Sequence, residues 1–187
     1  MVATVRVPPE DKPLVIFVGG FCDSIVKAMQ RFYHSYEQPG QVKAYSSHLM
    51  GGAIAEQIAL WKDKTGQPVV LIGHSYGGDT VVRVAEQLAR RRSDQPIDLL
   101  VTVDPVSRRG GVPRQPVTAA GRWFNSRVGD ARKNLSRPNI VALIGGHWPP
   151  LLPLGLVERE HEIHAPHDHV HVDVMMEPFM DEVRSFR

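Results

Sequence analysis

One short segment constrains the fold of this chain more than any other. Residues 69–72 form an apolar, mostly β-branched run, the turn Gly73-His74-Ser75-Tyr76-Gly77 follows without a spacer, and apolar residues then recur at helical spacing to about Arg91. Small residues two positions before and after Ser75 allow a strand and a helix to pass closely around a sharp turn. The segment therefore predicts a strand–turn–helix unit with the Ser75 hydroxyl projecting above the carboxyl edge of a sheet.

The rest of the chain alternates short apolar runs with longer helical patterns, which is typical of an α/β fold with a mostly parallel central sheet and crossover helices. Strands are predicted at residues 14–18, 42–46, 69–72, 97–103 and 139–144, and helices at residues 23–36, 52–64, 75–91 and 173–186. Residues 107–138 are expected to be mostly loop or short helix, and a loop of that length is often a lid or a binding loop.

Bulk composition narrows the class of protein. The chain has 187 residues, 42% of them hydrophobic and 22% charged, which predicts one globular domain over residues 1–187. The lone cysteine, Cys22, excludes an intramolecular disulfide. A net charge of +2 does not indicate nucleic-acid binding. No apolar run is long enough for a transmembrane segment, and no signal peptide is evident, so we expect a cytoplasmic protein or one exported without a classical signal peptide.

The turn at Ser75 points to nucleophilic catalysis. A serine hydroxyl needs a base to take its proton and usually a carboxylate to orient that base, here in the chain order serine, acid, histidine. Asp104 directly follows the strand predicted at residues 97–103, which places it at the same sheet edge as Ser75. The alternative is an Asp-Pro turn that only ends the strand. Asp79 and Asp130 are weaker candidates for the acid.

The base is one of several histidines between residues 161 and 171. His169 fits best because the final helix is predicted to begin soon after it, and His171 and His167 come next. These three residues would share one face of an extended segment, and with Asp168 or Asp173 they could also hold a metal ion. We expect no metal and no cofactor, because Ser75 already accounts for a histidine in this region.

A second glycine-rich turn, Gly19-Gly20-Phe21, follows the first predicted strand. Glycine there would let the backbone approach a substrate closely. The backbone N–H groups of Phe21 and Tyr76 are the predicted oxyanion-hole donors. A plain turn before a helix is the alternative.

Together these features resemble the α/β-hydrolase family from Leu14 to the C-terminus. Asp104-Pro105 looks like the acid position of the lipase branch, and His169-Val170-His171-Val172-Asp173 is similar to the histidine segment of small bacterial lipase- and esterase-like enzymes. The resemblance implies a Ser75–Asp104–His169 triad that hydrolyses esters through an acyl-enzyme. Gly-Gly in place of the usual His-Gly pair departs from the family, and the short chain implies a small cap or none.

The leading functional hypothesis is therefore a serine hydrolase acting on a small acyl ester or a lipid. A thioesterase or amidase would use the same triad, and a binding protein could keep the fold without turnover. The apolar residues 148–156 are expected to pack against the sheet or to flank an acyl groove.

Overall fold

A six-stranded sheet organises the computed structural model, which describes residues 7–21, 23–91, 94–107, 118–129, 132–133, 135–148, 155 and 157–187. Its strands lie in the order β2-β1-β3-β4-β5-β6, and every neighbouring pair is parallel. The strands are β1 (Leu14–Gly19), β2 (Val42–Ser47), β3 (Val69–His74), β4 (Ile97–Val103), β5 (Ala120–Val128) and β6 (Arg159–Ile163). All carboxyl ends therefore lie at one edge of the sheet.

Helices flank this sheet on both faces. They are α1 (Asp23–Val26), α2 (Ala28–Ser35), α3 (Gly51–Thr65), α4 (Tyr76–Arg91), α5 (Arg137–Gly145), α6 (Val172–Met176) and α7 (Met180–Ser185), with 3-10 turns at His48–Met50 and Glu177–Phe179. None of the helices in these described ranges is long and apolar enough to cross a membrane.

The sheet is buried on both sides, which explains why its strands are continuous apolar runs rather than alternating ones. Leu14, Ile16 and Val18 of β1 pack with α3 and α4, whereas Val15 and Phe17 pack with α2 and with the C-terminal helices. Because successive strand residues point to opposite faces, one run of apolar residues supplies both cores. The two cores fix the sheet edge that carries the candidate site.

The predicted α/β fold is confirmed, and so are the strands predicted at residues 14–18, 42–46, 69–72 and 97–103 and the helices at residues 52–64 and 75–91. The helix predicted at residues 23–36 is interrupted at Lys27, whose φ is 58°. The carboxylate of Asp23 accepts hydrogen bonds from the amides of Met29 and Gln30, so it caps the second of the two helices. The C-terminal helix is divided by the 3-10 turn that contains Pro178.

The strand prediction at residues 139–144 is wrong, because these residues form most of α5. Ser136 caps that helix by accepting a hydrogen bond from the amide of Asn139, and Gly146 ends it in a left-handed conformation. Its run of β-branched residues is typical of a buried strand, but Val141 and Ile144 are 61% and 82% exposed. Local capping therefore overrides the strand propensity of this run.

The expectation of mostly loop at residues 107–138 is also wrong in part, because β5 lies there. Strand β6 was not predicted either. The sequence does not indicate β5 because polar residues interrupt its apolar pattern. In the structure, Arg122 pairs with Glu158 and Glu182, while Asn125 Nδ2 donates to Glu160 at 3.3 Å. Within the candidate lid at residues 107–138, residues 108–117 lie outside the described residues, and so does most of the apolar segment at residues 148–156.

Candidate active site

Ser75 occupies a tight turn between β3 and α4. Its φ is 57°, in the left-handed region that non-glycine residues rarely adopt. The amide of Ser75 donates to the carbonyl of Val103 at 3.0 Å, and its own carbonyl accepts from the amides of Gly78 at 2.8 Å and Val106 at 3.1 Å. These backbone hydrogen bonds hold the strained turn between two neighbouring strand ends.

The flanking glycines make the turn possible because the backbones on either side are in contact. A Cβ at Gly73 would lie 2.3 Å from the carbonyl oxygen of Gly77, and a Cβ at Gly77 would lie 2.2 Å from that of Val18. Neither position can hold a side chain unless the backbone moves. The glycine spacing in the sequence thus reflects direct contact between β1, β3 and the first turn of α4.

Asp104 directly follows β4 and is fully buried beside this turn. Its φ is 42°, and its amide donates to the carbonyl of Ser126 at 2.7 Å. One carboxylate oxygen, Oδ2, lies 2.6 Å from Nδ1 of His169. The other, Oδ1, accepts from the amide of Val128 at 2.9 Å and lies 2.6 Å from Nε2 of His147. Burial alone would raise the pKa of Asp104, but hydrogen bonds from the two histidines outweigh it and hold the pKa well below its usual range.

His169 is the histidine that the structure brings to Asp104. Its side chain is 8% exposed, its Nδ1 faces the carboxylate, and its ring lines the same cavity as Ser75. A histidine with Nδ1 on a carboxylate directs Nε2 to the opposite side of the ring, which is the orientation that a base for a serine requires.

The other two candidate histidines have different partners. His171 Nδ1 lies 3.0 Å from Asp168 Oδ1, and the ring of His167 packs against that of His171 with centroids 5.2 Å apart. Among the described residues, those that line the cavity include neither His167 nor His171. Over the described ranges, no group of three or more His, Cys, Asp and Glu side chains could hold a metal ion.

Two buried residues position the loop that carries His169. Asn139 of α5 accepts a hydrogen bond from the His169 amide through Oδ1 at 2.9 Å. His74, the last residue of β3, has Nε2 at 2.7 Å from the His169 carbonyl. Burial lowers the pKa of His74 to about 3, so its ring is neutral near pH 7. Nε2 then carries the proton that is donated to the His169 carbonyl.

The turn after β1 lies against Ser75. A Cβ at Gly20 would lie 2.6 Å from Ser75 Cβ and 2.9 Å from the His74 carbonyl oxygen. The next residue, Phe21, lines the cavity with Tyr76, and their ring centroids are 6.2 Å apart. The two residues predicted to supply the oxyanion hole thus line the same cavity as Ser75.

A cavity of about 480 Å³ opens beside Ser75 between α1 and α5. Its walls are mostly apolar, with Ile25 and Val26 on one side and Val141 and Ala142 on the other. Arg137, at the start of α5, also lines it. A cavity of this size and polarity fits a hydrocarbon group whose polar end lies at Ser75.

Sequence reasoning missed His74, Asn139 and His147. His74 lies inside the motif, and its position at the end of β3 next to Ser75 was a usable signal. Asn139 and His147 belong to α5 and the turn after it, which the sequence predicted as a strand followed by Gly145-Gly146. Because both contacts join distant parts of the chain, nothing in their local sequence indicates them.

Comparisons with known proteins support the fold. No protein-family model matches the chain, and no curated protein matches it significantly. Among solved structures, a protein of unknown function from Agrobacterium tumefaciens, described as an α/β-hydrolase, is similar with a TM-score of 0.56 at 11% identity, covering 95% of this chain and 86% of that one. Human thioesterase 2 gives 0.55 at 9% identity, covering 93% and 98%.

Est1E from Butyrivibrio proteoclasticus is similar with a TM-score of 0.54 at 11% identity, covering 94% of this chain and 90% of that one. Identities this low establish architecture rather than activity. They confirm the α/β-hydrolase fold that the sequence resemblance implied.

Proposed function

We propose that this α/β-hydrolase-fold protein is a serine hydrolase that cleaves carboxylic esters, with Ser75 as nucleophile, His169 as base and Asp104 as the acid that orients it. The observation that carries this proposal is the 2.6 Å contact between His169 Nδ1 and Asp104 Oδ2, made by the same histidine that lines the cavity at Ser75. Ser75, His169 and Asp104 come from three separate segments, and this contact joins two of them beside the cavity that Ser75 also lines, which supports assigning the three to a triad.

The reaction would proceed in two acyl-transfer steps. His169 Nε2 takes the proton of Ser75 as Oγ attacks the acyl carbonyl, and the oxygen of the tetrahedral intermediate is stabilised by the amides of Phe21 and Tyr76. The protonated ring then gives its proton to the leaving alkoxide as the ester C–O bond breaks. Water, deprotonated by the same ring, hydrolyses the acyl-enzyme and restores Ser75.

The ionised state of Asp104 supports this assignment. Its lowered pKa keeps the carboxylate negative at every pH at which His169 could act as a base. A buried carboxylate beside the ring favours the tautomer with the proton on Nδ1 and stabilises the imidazolium that forms during the reaction. The acid therefore orients His169 without exchanging a proton itself.

The cavity favours an apolar acyl group. Its walls come from α1 and α5, and burying each methylene of a hydrocarbon chain there contributes about 0.8 kcal/mol. The substrate that fits is an ester whose hydrocarbon acyl chain lies between these helices and whose carbonyl lies at Ser75.

A thioester is the second candidate substrate. Human thioesterase 2 shares the fold, and the attack on a thioester carbonyl needs the same three groups. Paired oxygen esters and thioesters with one acyl chain separate these two functions, because only the leaving group differs. An amide with that acyl chain tests an amidase in the same assay.

The experiment is hydrolysis of p-nitrophenyl esters by wild type, Ser75→Ala and Ser35→Ala. Ser35 is a surface serine at the end of α2, so its variant is a matched control. We expect turnover by wild type and Ser35→Ala and a loss of about 10³-fold or more in Ser75→Ala. Equal rates in all three proteins would reject the proposal. A folded wild type without turnover on esters, thioesters or amides would favour a binding protein.

A further inference from the structure

Asp104 contacts a second histidine besides His169. Nε2 of His147 lies 2.6 Å from Asp104 Oδ1, as close as His169 lies to Oδ2. The His147 side chain is 8% exposed and that of Asp104 is 1% exposed, so this contact is shielded from water. A buried hydrogen bond to a carboxylate is stronger than a neutral one and fixes both partners.

The backbone around His147 is tied to the segment that follows Asp104. His147 forms an isolated antiparallel bridge with Val106, and the amide of Trp148 donates to the carbonyl of Pro105 at 3.1 Å. The amide of His147 itself donates to the carbonyl of Ala142, in the last turns of α5, at 3.0 Å. The backbone that carries the ring is thus held from two sides, by the helix end and by the loop after β4.

We propose that His147 is a positioning residue for the catalytic acid: its Nε2–H binds Oδ1 and turns the carboxylate so that Oδ2 faces His169. This inference rests on the proposed function, because it assigns a role within the same triad. It adds a fourth side chain that touches neither Ser75 nor the substrate and acts only through Asp104.

The two histidines on Asp104 are not interchangeable. His169 binds the carboxylate through Nδ1 and lines the cavity at Ser75. His147 binds through Nε2, and it is not among the residues that line this cavity within the described ranges. The base is therefore His169, and the function of His147 is the orientation and charge of the carboxylate.

The same contact lowers the negative potential that the Asp104 carboxylate exerts on His169. The N–H of His147 places positive potential at Oδ1 and offsets part of the carboxylate charge. Without it, the uncompensated carboxylate charge should stabilise the His169 imidazolium more strongly. Among the described residues, the other titratable or charged groups that contact His169 or line its cavity are Asp23, His74, Tyr76 and Arg137. The loop of His169 itself also carries the Asp168–His171 pair.

The test compares His147→Leu with His147→Gln. Leucine removes the donor, whereas the glutamine amide can reach Oδ1 from about the same position as Nε2. For His147→Leu we expect kcat to fall about 10- to 100-fold with KM within about twofold, as for other residues that orient a catalytic group. The acid limb of its kcat/KM profile should move to higher pH by about half a unit or more. His147→Gln should keep kcat within about threefold and the limb near that of wild type.

Nitrogen-15 NMR of the histidine rings gives a readout that does not depend on turnover. In His147→Leu the titration of the His169 ring should move to higher pH than in wild type and in His147→Gln, and His169→Gln identifies its signal. An unchanged His169 titration in a folded His147→Leu protein would overturn the inference. An equal fall of kcat in His147→Leu and His147→Gln, with no change in the pH dependence of kcat/KM, would overturn it as well. Failure of the proposed function would differ, since no Ser75-dependent turnover would then be found in wild type while the NMR titration still decides the role of His147.

Discussion

The ring of His74 donates from Nε2 to the backbone carbonyl of His169 at 2.7 Å, and the two rings lie 4.6 Å apart. This contact links the residue before the candidate nucleophile to the candidate base across 95 positions of sequence. His74 Nδ1 has no hydrogen-bond partner in the part of the chain described by the structure. The ring therefore holds the loop of His169 as a neutral donor, and a proton on Nδ1 would be buried without compensation.

Protonation of His74 should destabilise the fold in acid. Its pKa falls from 6.5 to about 3 on burial, so the unfolded state binds this proton more tightly, and the stability is complete above about pH 6.5 and declines as the pH falls toward 3. Between pH 7 and pH 5 we expect the free energy of unfolding of wild type to fall about 2 kcal/mol more than that of His74→Gln. Urea unfolding at the two pH values measures this difference. Parallel losses in the two proteins would show that His74 does not titrate this way.

Asp104→Asn should nearly abolish turnover while the protein stays folded. An amide in place of the carboxylate favours the wrong tautomer of His169 and no longer stabilises its cation, which predicts a loss of about 10³- to 10⁴-fold in kcat. Asp79→Asn is the control, because in the described part of the chain Asp79 forms an i,i+4 ion pair with Arg83 at 2.6 Å on α4 and does not line the cavity. We expect that variant to stay within about twofold of wild type. Comparable losses in both variants would remove the reason for assigning Asp104 as the acid.

Gly20→Ala should displace the proposed nucleophile, Ser75, directly. Its Cβ would lie 2.6 Å from Ser75 Cβ and 2.9 Å from the His74 carbonyl oxygen, so the turn after β1 must shift. Because small displacements of catalytic groups are costly, we expect kcat/KM to fall about 100-fold or more.

Gly52→Ala is the matched control for that substitution. A Cβ at Gly52 would have nothing within 4 Å, and the residue lies in α3, so alanine should raise stability by about 0.5 to 1 kcal/mol and leave turnover unchanged. Wild-type kinetics in Gly20→Ala would show that the turn does not need to approach Ser75 so closely.

The acyl-chain preference should depend on the wall of the cavity that α5 supplies. Val141 lines the cavity, whereas Ile144 lies one turn later with its side chain 82% exposed. Val141→Asp should lower kcat/KM for p-nitrophenyl octanoate relative to butyrate by about tenfold, since a carboxylate there opposes burial of the longer chain. Ile144→Asp should leave the ratio within about twofold. Equal effects would indicate that the chain binds along the exposed face of α5 instead.

How far the sequence predicts this site depends on whether a residue is fixed locally or by distant contacts. Ser75 and Asp104 each directly follow an apolar strand, so their place at the sheet edge follows from strand ends alone. The sequence favoured His169 over His171 and His167 only by its distance from the final helix. The contact that holds its amide comes from Asn139, on a helix that the sequence predicted as a strand. His147 was missed for the same reason. It follows that helix, and only folding brings its side chain to Asp104.

Covalent labelling shows whether Ser75 is a nucleophile that His169 activates. Wild type would be treated with a fluorophosphonate and digested, and the modified residue located by mass spectrometry, with Ser75→Ala and His169→Gln in parallel. We expect a single modification at Ser75 in wild type, none in Ser75→Ala and labelling slowed at least about 100-fold in His169→Gln. A folded wild-type protein that remains unlabelled, or a label on Ser75 that forms equally fast without His169, would contradict this expectation.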